Sequence, residues 1–413
     1  MQAESLIIEA EKDCLEGHQY IQKIVEKNQQ RVLEAFRNHR ISDAHLQGTT
    51  GYGYDDLGRE GLEAVYAQVF GGEDAVVRPQ IVSGTHAITT ALFGILRPQD
   101  ELVYITGHPY DTLEEVIGKP GKEEGSLADF QIGYREIALK ETGKIDFEAI
   151  KSSWTKQTKV IAIQRSKGYD ARPSFTISEI KEMVDFVKAI DPSVIVFVDN
   201  CYGEFTETKE PLHVGADLIA GSLIKNPGGG LVRAGGYIAG RQDLIHLCAN
   251  RLTAPGLGKE TGASLGMLQE MYQGFFMAPH TVGEALKGAL FTARFLELAG
   301  FRTAPSYHEK RTDLIQTVTF HTAEEMIAFC QAIQENSPIN SYVTPYPSEM
   351  PGYEDEVIMA AGTFIQGASI ELSADGPIRA PYTAYVQGGL TYTHVKIAII
   401  EAVKTLKNQG FIS

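Results

Sequence analysis

Residues 216–230 read ADLIAGSLIKNPGGG. An apolar run, interrupted only by small residues, ends on Lys225, and Asn226, Pro227 and three glycines follow at once. Glycines are used where backbone or ligand must come close, so this tract strips side chains from around the amine. Taken alone, the stretch is better read as a surface lysine before a glycine turn. The rest of the chain decides otherwise.

Working outward, KVIAIQRS (159–166), VIVFVDN (194–200), ELVYIT (101–106) and AGGYIAG (234–240) are further short, nearly continuous apolar runs. Helical patterns lie between them: GREGLEAVYAQVFGG (58–72), which ends on a glycine pair, and ISEIKEMVDFVKAI (177–190). VRPQIVSGTHAITTALFGIL (77–96) reads as strand, small-residue turn and helix, and GHPYDTLEEVIG (107–118) opens another helix. Apolar strands alternating with helices predict an α/β fold, its parallel or mixed sheet covered on both faces. Residues 4 to 40 carry helical stripes, an arm that packs either on another subunit or on its own domain. From residue 285 the pattern changes: a long helix (283–300), a strand in DLIQTVTFH (313–321), a helix at 323–335, strand-like pieces up to TFIQGASIELS (363–373), and a closing helix at 392–409. The expected organisation is a helical arm (1–45), a large domain (46–284) and a smaller α/β domain (285–413).

The 413 residues carry a net charge of −16 with no basic stripe, which argues against nucleic acid as a partner. No segment approaches the roughly 20 apolar residues of a membrane span. The start, MQAESLIIEAEKD, is acidic and lacks the pattern of a signal peptide. Cys14, Cys201, Cys248 and Cys330 are far apart and form no metal or redox motif. The expectation is a cytoplasmic protein without a metal.

Three strand ends could carry chemistry. Ser83, Gly84 and Thr85 lie where a strand turns into a helix, whose free N–H groups and dipole suit a phosphate; ordinary N-capping explains the same residues. Asp199 ends a buried-looking strand, and ligands of open α/β sheets bind beyond such ends. Lys225 follows one strand later, with Ser222 three residues before it. TAPGLGKE (253–260) lacks the glycine and hydroxyl of a P-loop, and GYGYDDLG (51–58) lacks the preceding strand of a dinucleotide site. A phosphate cup, a buried carboxylate and an amine are together what pyridoxal 5′-phosphate (PLP) requires. Tyr110, just past ELVYIT, is placed to cover its ring.

In order and spacing, SGTHAI, GHPYDTLEEVIG, VDNCYGEF, GADLIAGSLIKNPGGG and GGYIAG resemble the fold-type I PLP enzymes of Cys/Met metabolism. The resemblance is closer still to the methionine γ-lyase-like or "aluminium resistance" branch, and runs from about Tyr52 to Tyr392. It implies that Lys225 is the Schiff-base lysine, Asp199 the partner of the pyridine nitrogen and Tyr110 the stacking ring. Gly84 and Thr85 would give amides to the phosphate, with Ser83 in the same turn, and Ser222 would add a hydroxyl. Tyr54 and Arg59 resemble a segment that reaches a neighbouring subunit's phosphate, although relatives have a Tyr-x-Arg pair and here five residues separate the two. His86 and Ala87 also depart from the pattern, and Arg165 or Ser166 stands where relatives carry an Asn. Arg379, between Pro377 and Pro381, is the candidate clamp for a substrate carboxylate, since guanidinium matches carboxylate bidentately; a surface arginine fits it nearly as well. The implied reaction is carbon–sulfur elimination from a sulfur amino acid by a homodimer or homotetramer. The alternatives are an aminotransferase and a PLP-binding stress or regulatory protein with little turnover.

Overall fold

The computed structural model describes residues 2–118, 124–350 and 355–412. Seven strands build the main sheet: β1 (Asp74–Arg78), β2 (Glu101–Tyr104), β3 (Gly133–Glu136), β4 (Thr158–Gln164), β5 (Ile195–Asp199), β6 (Leu218–Ser222) and β7 (Gly236–Gly240). Their spatial order is β1-β7-β6-β5-β4-β2-β3. The β2, β3, β4, β5 and β6 pairings are parallel, and β7 runs antiparallel to both of its neighbours.

The continuous apolar strands are explained by what covers them. In β5, Val196 and Val198 face one core while Ile195 and Phe197 face another; β4 and β6 alternate in the same way. The helices α1 (Gln2–Asn38) and α2 (Leu57–Phe70) supply the first core, and α3 (Gly84–Ile95) the second, with α4 (Thr112–Ile117) beside it. After α5 (Phe147–Ser152), α6 (Ile177–Ile190) joins the first core, α7 (Gln242–Leu252) the second, and α8 (Leu268–Leu298) the first. Asp199 and Ser222 continue the alternation on the α3 face of the sheet.

A second sheet is antiparallel throughout. Its strands are β8 (Arg302–Ala304), β9 (Gln316–Thr319), β10 (Val357–Ala360), β11 (Ser373–Pro377) and β12 (Thr383–Gln387), in the order β10-β11-β12-β9-β8. The helices α9 (Ala323–Glu335) and α10 (Tyr392–Asn408) cover it.

The helical arm is α1, which packs on its own chain. It lies along α8, closely enough that a Cβ on Gly17 would meet Leu290 and one on Gly283 would meet Val25. Asp13 pairs with Arg294 of α8 at 2.7 Å. The expected break at 284/285 falls inside α8, which packs with the large sheet up to Leu290 and, from Phe291, with the core between the second sheet, α9 and α10. TFIQGASIELS is not strand-like except at its last residue. Residues 363–372 form a loop, held by the Glu371 carboxylate, which accepts from the amides of Phe364 and Ile365 at 2.9 and 2.8 Å. Among the described residues, no helix is long and apolar enough to cross a membrane, and no group of three or more His, Cys, Asp or Glu could hold a metal ion.

Candidate active site

The ends of β4, β5 and β6 and the start of α3 open on one cavity of about 210 Å³. Its lining brings together Ser83, Gly84, Thr85, Tyr110, Asp199, Ser222 and Lys225. A larger cavity of about 520 Å³ lies between α1, α8 and residues 307–311, away from these strand ends.

Ser83 caps α3, its hydroxyl accepting from the His86 amide at 3.0 Å. The ordinary reading of that serine therefore holds for its side chain, while the first-turn N–H groups of Gly84 and Thr85 need a partner from outside the helix. A Cβ at Gly84 would lie 3.2 Å from the Cys201 Sγ and 3.4 Å from the Ser222 Cβ, so glycine lets the turn sit tight against β5 and β6. Thr85 Oγ1 lies 3.0 Å from Thr112 Oγ1, tying the turn to α4. The amide of Tyr110 donates to Gln164 Oε1 at 2.7 Å, which anchors its backbone at the end of β4.

Asp199 is buried, and its Oδ1 accepts from the Cys201 amide at 3.1 Å. Burial pushes its carboxyl above the ordinary range; the Cys201 amide and the Lys225 charge oppose this without cancelling it. Lys225 Nζ lies 4.0 Å from the centre of the Tyr202 ring, a cation–π contact. Burial pulls the amine down, but Cys201, Tyr202, Asp199 and Glu204 more than offset it and hold Lys225 above its usual value. Tyr202 adopts a φ of 68° and its hydroxyl reaches Ala368 O at 3.4 Å. The loop 363–372 thus walls the cavity, and Ile370 N donates to Ile224 O, next to the lysine.

These residues fit PLP by the chemistry of the donor set: free amides and a hydroxyl for a phosphate, a buried carboxylate for a ring nitrogen, and a buried amine for an aldehyde. Gln164, Thr112 and Tyr202 line the same cavity and were not anticipated. They are ordinary residues at a strand end, a helix start and a turn, with no pattern to single them out.

Other candidates lie elsewhere. Arg379 is a correction: residues 379–381 are exposed in the β11–β12 turn, and its guanidinium pairs with Asp355 at 2.9 Å. Arg59 is buried, with its guanidinium bound to the carbonyls of Gly53, Gly262 and Glu260. Tyr54 is exposed and stacks on Tyr52 at 5.6 Å. Arg165 is fully buried among Asn200, Thr206, Glu210 and Thr312, whereas Ser166 is the exception: it lines the cavity, with its hydroxyl donating to Asp313 at 2.7 Å. His86 accepts from the Val82 amide. Arg172 binds the carbonyls of Pro173, Gln164 and Ser166, and Arg233 pairs with Glu270 at the surface. Among the described residues, no arginine lines the cavity.

A mixed seven-stranded sheet with its one reversed strand next to the lysine-bearing strand is the architecture of the fold-type I PLP-dependent enzymes. The PLP-dependent protein YhfS of Escherichia coli shares that fold, with a TM-score of 0.61 over 93% of this chain and 97% of its own at 16% identity. The chain belongs to the methionine gamma-lyase family, whose pattern matches residues 3–407. It is 64% identical to the uncharacterized protein YnbB of Bacillus subtilis over 406 residues, 98% of this chain and 96% of that one. A solved structure from Listeria monocytogenes, described as a candidate cystathionine beta-lyase involved in aluminum resistance, is 60% identical with a TM-score of 0.95, covering 97% of this chain and 99% of its own. A carbon-sulfur lyase involved in aluminum resistance from Clostridium novyi NT is 50% identical, TM-score 0.94, covering 98% and 96%. Family and fold together imply PLP.

Proposed function

We propose that the protein is a PLP-dependent carbon–sulfur lyase that acts on a sulfur amino acid by β- or γ-elimination. The observation that carries this reading is the meeting of Lys225, Asp199 and the α3 N-terminus in one cavity. The carbon–sulfur lyase names of the relatives support the bond that is broken.

PLP, when bound, supplies an electron sink that makes the substrate Cα–H acidic. The amides of Gly84 and Thr85 and the Ser222 hydroxyl would hold its phosphate. The Asp199 carboxylate, oriented by the Cys201 amide, would keep a proton on the ring nitrogen. Tyr110 would cover the ring. With its amine in the neutral form, Lys225 Nζ would take the proton from Cα as general base, and the Tyr202 ring would steady the ammonium so formed. The carbon–sulfur bond then breaks, the thiolate leaves, and water completes the release of a keto acid and ammonia.

We also read the protein as a homodimer or homotetramer. Tyr52, Tyr54, Leu57 and Leu265 are exposed apolar side chains that suit a contact between copies. Light scattering should show no active monomer.

The test is a panel of thiol-releasing amino acids, cystathionine, methionine, cysteine and homocysteine among them, given to the PLP-loaded protein. Thiol, keto acid and ammonia should appear together. Borohydride should fix the cofactor to the peptide that holds Lys225. Labelling of another lysine, or keto acid formed only when a keto-acid acceptor is added, would overturn the reading.

A further inference from the structure

Behind β6, on the face away from the cavity, lies a buried carboxyl that the reading above does not use. Glu204 belongs to the turn after β5, where Tyr202 and Phe205 take φ values of 68° and 63°. Cys201 and Tyr202 of that turn line the cavity, whereas Glu204 is completely buried beside Tyr237. Its Oε1 accepts from the Tyr237 hydroxyl at 2.7 Å, and its Oε2 has no hydrogen-bond partner. Gly221 makes the space: a Cβ there would lie 2.6 Å from Glu204 Oε1 and 2.6 Å from Tyr237 Cε1. The next residue of that strand, Ser222, lines the cavity and ends the strand, and a turn leads on to Lys225. Asn226, which follows the lysine, donates to the Glu204 backbone oxygen at 2.8 Å. The turn that carries Glu204 and the loop that carries Lys225 are therefore pinned to each other.

We propose that Glu204 is a positioning residue for the reaction, a carboxyl behind the sheet that sets the proton affinity of the Lys225 nitrogen. This rests on the PLP reading given above. Several groups bear on the pair. Lys225 is faced by Cys201, Tyr202 and Asp199 from β5 and its turn, and by Asp375 from β11. Glu204 is faced by Tyr66 of α2, Tyr237 of β7, Glu210 and Lys225. Burial pushes Glu204 up to about 8; the Tyr237 hydroxyl and the Lys225 charge favour the carboxylate, and Glu210 opposes it. Glu204 thus holds its proton more tightly than an ordinary carboxyl. Once ionised, it favours the protonated Lys225 nitrogen, so it moves the loss of that proton to higher pH.

The test is a pH titration of the absorbance of the PLP-loaded protein, which follows the proton on the Lys225 nitrogen. Glu204→Gln keeps the shape and an acceptor for Tyr237 but removes the charge. Its midpoint should fall by about one pH unit, the size of a near charge's effect on a buried neighbour. Tyr237→Phe removes the donor that favours the carboxylate and should move the midpoint the same way by less; it carries the test if the glutamine variant does not fold. A merely structural glutamate would change the melting temperature and leave the midpoint in place. An unmoved midpoint in the folded variants would overturn this inference alone, whereas a wild-type chain that takes up no PLP would overturn it together with the proposed function.

Discussion

Replacing Asp199 by Asn separates charge from shape. The amide oxygen still accepts from the Cys201 amide, now 3.1 Å from Oδ1, so the turn after β5 should keep its form. On the proposed reading, what is lost is the negative charge that would hold a proton on the ring nitrogen. A hydrogen bond to a charged group is worth about 1.5–3 kcal/mol. At about 1.36 kcal/mol per decade, that is a loss of roughly ten- to two-hundred-fold in kcat. Stability should move the other way. Burial raises the Asp199 carboxyl above its ordinary value of about 3.9, so at neutral pH its ionised form costs the fold free energy that Asn does not. The assay pairs thiol release under saturating substrate with thermal unfolding of the variant without cofactor. Fully loaded Asp199→Asn with kcat within about threefold of wild type would mean that this carboxylate does not act on the ring nitrogen.

Further expectations follow from the same geometry. Arg379→Ala should leave KM for amino-acid substrates within about twofold, because its pair with Asp355 is exposed and such pairs contribute about 0.2–1 kcal/mol; a large rise in KM would put the arginine back at the substrate. Gly221→Ala should lower stability by about 1–3 kcal/mol in thermal or urea unfolding, since its Cβ would press on both Glu204 and Tyr237. His108 is held above the ordinary histidine range: partial burial pulls it down, but bonds to Glu114 and Glu136 win. Its contribution is therefore complete below about pH 6.5 and lost as pH rises through the raised value. NMR should give His108 a midpoint above about 6.5, and hydrogen exchange in α4, corrected for intrinsic rate, should quicken across that window; a midpoint at or below that value would refute it.

Much of the large domain is legible because each strand feeds two cores, so that β4, β5 and β6 read as unbroken apolar runs. Lys225 and Asp199 stand out because a charged residue at the end of such a run has no packing reason to be there. The misses have physical causes. The long helix expected over 283–300 starts much earlier, at Leu268: α8 passes through Pro279, where Phe275, Ala278 and Val282 are buried on either side. The α7 sequence QDLIHLCANRL mixes polar and apolar residues closely enough to hide its stripe, although Leu244, Ile245, Cys248 and Ala249 are buried. Arg379 has the flanking prolines of a rigid clamp, but only the course of the β11–β12 turn shows that it faces water. Gln164 and Glu204 are polar residues whose roles depend on strands that meet only in the folded chain.

The first turns of α1 have a consequence for the order in which the protein is made. Leu6, Ile7 and Ala10 pack in the same core as α9 and α10, and Glu11 pairs with Lys396, 385 residues away. At about 5–20 residues per second, the first turns of α1 emerge from the ribosome roughly 20–80 seconds before α10. Through that interval Leu6, Ile7 and Ala10 lack part of their permanent cover, while the rest of the stripe can close on α8 earlier. The large sheet and the strand ends that carry Asp199 and Lys225 are already complete, while the loop that walls the lysine is still unmade. The nascent chain therefore carries its lysine before it can shelter it, and that exposure ends only when the loop 363–372 arrives and Ile370 bonds to Ile224.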